Sequence, residues 1–73
     1  MVNTKALVGK MAEKGYTQRT LGAKMKRNKN TVNAKINGKI AFTDEEIESV
    51  CEALEIKEAA EVCRIFLPGI RAE

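Results

Sequence analysis

Thr17-Gln18-Arg19-Thr20-Leu21-Gly22-Ala23-Lys24-Met25-Lys26-Arg27-Asn28-Lys29-Asn30-Thr31-Val32-Asn33-Ala34-Lys35-Ile36-Asn37-Gly38 is the stretch that decides how this 73-residue chain folds. It holds two helical patterns separated by three residues. Thr17 suits an N-cap, because its hydroxyl can accept a hydrogen bond from a free amide of the first turn, and Tyr16 and Leu21 stand at the N′ and N4 places of a hydrophobic staple. That helix should end near Met25. Asn28 then caps a helix that starts near Lys29, so only Lys26-Arg27-Asn28 lie between the two. Within the later helix Val32 and Ile36 are four apart and share a face, while Asn30, Asn33, Ala34 and Asn37 lie on the other side. Asn has low helix propensity, and so thin an apolar stripe makes a poor structural element. Its polar surface is kept for a use other than packing. Asn37-Gly38 supplies the stop, Gly38 being free to adopt left-handed backbone.

On either side of this stretch the sequence reads as three further short helices. The first runs from about Asn3 or Thr4 to Lys14, with Leu7, Val8 and Met11 on one face and Gly15 as its terminator. The fourth opens on Phe42-Thr43-Asp44-Glu45-Glu46-Ile47, which combines a Thr/Glu capping box with a Phe42–Ile47 staple and places three acids at the positive end of the helix dipole. It extends to about Leu54, and Glu45, Glu46 and Glu48 read as a cap and a solvated face. The fifth spans roughly Lys57 to Phe66, with Ala59 or Ala60, Val62, Cys63 and Phe66 inward, and stops before Pro68-Gly69. The expected fold is all-α, a compact bundle of five short helices in which the second and third form a helix-turn-helix. No linker or low-complexity stretch divides it, and residues 1–73 have room for one domain only. The apolar tail Ile65-Phe66-Leu67-Pro68-Gly69-Ile70 either closes over the first helix or makes a dimer contact.

Composition narrows the chemistry. With no Trp, one Tyr and two Phe, the core must come from aliphatic side chains, Met and the two Cys. Cys51 falls on an apolar stripe with Ile47, Val50 and Leu54, so buried, reduced thiols are favoured over a disulfide with Cys63. The chain has no His, and two thiols alone fall short of the four ligands that a structural zinc site usually takes. No metal or cofactor is expected. Nor is an enzyme, since no Ser or Cys stands beside a plausible base. The first residues lack the apolar run of a signal peptide, and no segment approaches the ~20 apolar residues of a membrane span, so a cytoplasmic chain is expected.

The net charge of +3 conceals a strong division. Residues 1–41 carry ten cations against Glu13 alone, whereas residues 42–73 carry three cations against nine acids. Such a domain offers one face to a polyanion and another to water or a basic partner. The basic half coincides with the two-helix stretch. Two helices joined by a three-residue turn, the second polar outside and the surroundings basic, meet the needs of major-groove entry: one helix bridges the backbone while the other reaches base edges. RNA is disfavoured, because the interleaved aromatics that stack exposed bases are missing.

The pattern Thr17-Gln18-x-x-Leu21-Gly22-x-x-Met25, then Asn30-Thr31-Val32-Asn33 and Ile36-Asn37-Gly38-Lys39, resembles the lambda-repressor-like family of phage Cro and repressor proteins and their bacterial relatives. The resemblance covers about residues 3–56. Leu21, Met25, Val32 and Ile36 would form the wedge between the two helices, and Gly22 is small where they approach closely. The resemblance implies that Lys29, Asn30 and Ala34, with Asn33 close by, contact bases. Lys can donate to guanine, Asn can bind adenine through two hydrogen bonds, and the Ala methyl can pack on a thymine methyl. Gln18, at the first turn of its helix, would meet a phosphate beside free backbone amides. Lys35, Asn37 and Lys39 are further phosphate candidates, with Arg19, Lys26 and Arg27 behind them. Two positions depart from the family pattern. Lys26 replaces the usual turn Gly, where left-handed backbone costs a non-Gly residue ~1 kcal/mol and permits an altered turn. Asn28 replaces the usual Ser cap.

What the resemblance implies is a sequence-specific transcriptional regulator binding double-stranded DNA in a bacterial cytosol or phage-infected cell; where the apolar tail is a dimer contact, the homodimer would form through the C-terminal helix and tail. The alternative is an antirepressor or modulator that uses the same fold to bind another regulator protein.

Overall fold

The computed structural model describes residues 2–68 and folds them into five helices, α1 (Thr4–Lys14), α2 (Gln18–Met25), α3 (Lys29–Ile36), α4 (Asp44–Leu54) and α5 (Ala59–Phe66). No strand occurs among the described residues. Helices of this length are marginal alone in water, so their ends and their packing decide whether they form. The first four start on side-chain caps. Asn3 accepts a hydrogen bond from the Ala6 amide at 3.1 Å, Thr17 from Thr20 at 3.2 Å, Asn28 from Thr31 at 2.8 Å and Thr43 from Glu46 at 3.1 Å. Each such cap contributes about 1 kcal/mol. At α5 no side chain caps the start, and the helix begins at Ala59, later than the expected Lys57. Gly15, with φ 77°, ends α1 as its place in the sequence suggests.

The apolar faces meet in one core. Leu7 and Met11 come from α1, Leu21 and Met25 from α2, Val32 and Ile36 from α3, Val50 and Leu54 from α4, and Ile65 and Phe66 from α5, with Ile56 from the α4–α5 loop. In this arrangement α2 packs on both α3 and α4, while α1 lies across α3, α4 and α5. Tyr16 and Phe42, the leading halves of the two expected staples, pack against this core half-buried.

Several expected inward positions need correction. Val8 is 47 % exposed, because the buried stripe of α1 follows the Leu7–Met11 spacing and Val8 lies one residue off it. Ala59 and Ala60 are exposed, and Cys63 is only half-buried; the inward stripe of α5 follows Val62, Ile65 and Phe66 instead. Cys51 and Cys63 are free thiols, neither fully buried. Burial raises the pKa of Cys51 and keeps it a thiol. Of the described part of the C-terminal tail, Ile65 and Phe66 pack onto the bundle while Leu67 and Pro68 stay exposed: the Asn3 amide donates to the Ile65 carbonyl at 2.6 Å, and Phe66 meets Phe42 edge-to-face with centroids 5.2 Å apart. Gly69 and Ile70, the remainder of that apolar tail, lie outside the described residues. No described helix is long and apolar enough to cross a membrane.

Candidate nucleic-acid interface

The α2–α3 turn is shaped by two residues. Lys26 takes left-handed backbone, φ 59° and ψ 43°, although it carries a Cβ. Its amide and that of Arg27 return to the Ala23 and Gly22 carbonyls at 3.4 and 2.9 Å. At Gly22, a Cβ would stand 2.8 Å from the Arg27 carbonyl oxygen and 3.1 Å from a methyl of Val32. Any side chain there would push the turn and α3 off α2. Close approach of the two helices therefore depends on a missing methyl group.

On α3, Val32 and Ile36 are buried and turn the opposite face outward. Lys29, Asn30 and Asn33 are exposed there, and Ala34 is half-buried between them and the core. The Asn37 amide donates to the Asn33 carbonyl at 3.0 Å and to its side-chain oxygen at 3.2 Å, so these two amides form one ordered pair on the outer face. The C-terminal end is tied down from α1. Thr4 Oγ1 donates to the Ile36 carbonyl at 2.6 Å, satisfying an acceptor that the helix itself leaves open. Gly38, with φ 79°, then carries the chain away from the helix, and the Lys39 amide returns to the Ala34 carbonyl at 2.9 Å.

Lys35 requires a correction. Expected at the surface for a phosphate, it is only 6 % exposed, and its Nζ donates to Glu46 Oε1 at 2.7 Å and to the Ala41 carbonyl at 3.0 Å. The reason is angular: three residues after Val32 and one before Ile36, Lys35 lies on the flank of the buried stripe, under α4. Glu46 is not on a solvated face either. It is 3 % exposed, completes the capping box by accepting the Thr43 amide at 2.9 Å, and gives its other oxygen to Arg27 Nε at 2.7 Å. Burial alone would raise the pKa of this carboxyl. Its hydrogen bonds from Lys35, Thr43 and Arg27, with the Lys35 charge, prevail and lower it to about 2. One carboxylate thus joins the α2–α3 turn, the flank of α3 and the start of α4.

The division of charge along the chain is partly absorbed inside the fold. Lys10 meets Glu61 at 3.4 Å and Glu13 at 3.6 Å, Lys14 meets Glu55 at 3.1 Å, and Arg27 and Lys35 share Glu46. Among the described residues, the basic half's cations outside any ion pair are Lys5, Arg19, Lys24, Lys26, Lys29 and Lys39. Five of these six belong to α2, the turn, α3 and the segment after it. Gln18, half-buried at the first position of α2, and Arg19, exposed beside it, also stand at this helix pair. Of the sequence-expected residues, ten are therefore at least partly accessible and Lys35 is not. Lys24 was missed by sequence reading, although its position one residue before the buried Met25 and two after the buried Gly22 gave a usable signal.

Residues 2–68 match the family described as Protein of unknown function (DUF739). Comparison with curated proteins and with solved structures gives no match.

Proposed function

We propose that this chain, which belongs to the DUF739 family, is a sequence-specific double-stranded DNA-binding regulator that enters the major groove with α3. The observation that carries the reading is the outer face of α3: Lys29, Asn30 and Asn33 are exposed on a helix whose Val32 and Ile36 fix it to the core. The major groove of B-DNA is about 12 Å wide and admits a helix of this kind. Asn30 and Asn33 supply amides for base edges, Lys29 supplies a donor for guanine, and the Ala34 methyl offers an apolar contact. Arg19, Lys24, Lys26 and Lys39, outside any ion pair among the described residues and carried by α2, the turn and the segment after α3, supply the phosphate contacts that hold register. Gln18 and Asn37 add polar contacts at its edges, and Arg27 adds a guanidinium at the turn. Together these features fit the lambda-repressor-like pattern in the sequence.

Selection of bound duplexes from a random DNA pool tests this reading. Enrichment of a defined site, with Asn30→Ala relaxing the preference at one or two positions and costing roughly 1–3 kcal/mol on that site, is the expected result. A two-fold repeat in the selected site would support a homodimer. Failure to enrich any sequence contradicts the reading.

A protein-binding modulator is the second reading. It draws on a groove of about 400 Å³ between the α3–α4 segment and the end of α5, flanked by the exposed apolar side chains Ile40 and Leu67. Co-elution with another regulator, together with failure to bind any duplex, would favour it.

A further inference from the structure

We infer that Glu46 is a positioning residue for DNA contact, acting through Arg27, and this rests on the DNA-binding reading above. Arg27 belongs to the turn, and its side chain is 46 % exposed. Its Nε donates to Glu46 Oε2 at 2.7 Å and its Nη1 to the Lys26 carbonyl at 3.2 Å. Two bonds in different directions fix the plane of the guanidinium, a fork whose value in recognition comes from being held in place. Nη2 has no hydrogen-bond partner among the described residues. Glu46 is itself held rigidly, with Lys35 and the Thr43 amide on its other oxygen. A buried acid therefore aims an exposed base.

The geometry makes Arg27 a preordered phosphate donor beside α3, its Nη2 free for a backbone oxygen and its orientation fixed before DNA arrives. Preordering removes the side-chain entropy that a free Arg would lose on contact. It also reverses an electrostatic expectation. Neutralising an acid near a DNA-binding face should by charge alone strengthen binding to a polyanion. If Glu46 works by aiming Arg27, neutralising it weakens binding.

The test compares wild type, Glu46→Gln, Arg27→Gln and the double variant on a duplex selected by the wild-type chain, with the folded fraction of each measured by circular dichroism in the same buffer. Gln at position 46 retains an acceptor for the Thr43 amide. Arg27→Gln is expected to lower affinity about fivefold and to reduce the slope of log affinity against log salt by about 0.9. Glu46→Gln, corrected for folded fraction, is expected to lower affinity by a similar factor although no cation is removed. The double variant should lose no more than Arg27→Gln alone, because residues acting as one unit are not additive. Where Glu46→Gln does not fold, Lys35→Met/Glu46→Met replaces the buried ion pair without changing net charge, and the same loss is expected. Unchanged or tighter binding by folded Glu46→Gln, or by the Met pair, overturns the inference while leaving the DNA-binding reading intact. A wild-type chain that binds no duplex overturns both.

Discussion

The Lys35 ammonium of α3 donates to the Glu46 carboxylate in the first turn of α4 at 2.7 Å, with both residues less than a tenth exposed. This pair fastens the candidate recognition helix to the rest of the bundle from the side opposite its polar face. Buried ion pairs add little net stability over apolar packing, but breaking one leaves a charge with nowhere to go. Orientation is what such a pair supplies here, since its partner groups reach the turn, α3 and the α4 cap at once.

Acid should expose that dependence. The Glu46 carboxyl lies at about 2 in the folded chain against an ordinary 4.5. Its folded pKa is lowered, so its contribution is fully present above 4.5 and is lost as pH falls from there to about 2. The shift corresponds to roughly 3 kcal/mol. Urea denaturation at pH 7, 4 and 2.5 should show wild-type stability falling over this window. Glu46→Gln should start lower at pH 7 and fall much less. Parallel loss in both proteins would contradict the assignment.

Removing one partner and removing both should differ in size. Lys35→Ala leaves a buried carboxylate with Arg27 as its remaining charged partner, and a loss of about 3 kcal/mol is expected in denaturant melts at pH 7. Lys35→Met/Glu46→Met should lie within about 2 kcal/mol of wild type, losing mainly the capping-box acceptor. An equal or greater loss in the double variant would mean that the pair is a net source of stability.

The turn offers two substitutions with opposite signs. Lys26→Gly relieves left-handed backbone on a residue with a Cβ and should raise stability by up to about 1 kcal/mol. Gly22→Ala should lower it by about 1–3 kcal/mol, since the methyl would stand 2.8 Å from the Arg27 carbonyl oxygen. Thermal melts decide both. A stable Gly22→Ala variant would mean that α2 and α3 separate easily, and the fixed angle of α3 would then be in question.

Thr4 makes a smaller but more local contribution. Thr4→Val keeps the shape and removes the bond to the Ile36 carbonyl, at an expected cost of about 1 kcal/mol. Amide hydrogen exchange should quicken first in the last turn of α3. Exchange that quickens uniformly over the chain would show that the bond supports the whole fold instead of this helix end.

The helix ends were legible in the sequence, because caps are local chemistry. Asn28, Thr17 and the Thr43–Glu46 box each form the bonds that their spacing specifies. The outer face of α3 was legible too, as the complement of Val32 and Ile36. The fate of Lys35 and Glu46 was not, since two residues eleven apart become partners only once the segment after α3 brings the start of α4 back to Lys35. Periodicity alone also failed at α5, where the short helix carries more apolar residues than one face can bury and the inward stripe runs through Ile65 and Phe66, leaving Cys63 at its edge. Charge was readable as a total but not as a distribution, because four of the ten cations in the basic half enter ion pairs inside the fold.

DNA titration over a range of salt tests the central claim most directly. With Arg19, Lys24, Lys26, Lys29 and Lys39 outside any ion pair among the described residues, log affinity for a selected duplex should fall linearly with log salt. The expected slope is between about −3 and −5, as each neutralised phosphate contributes about −0.9. A slope near zero, or no binding at low salt, would contradict the assignment of this surface to DNA.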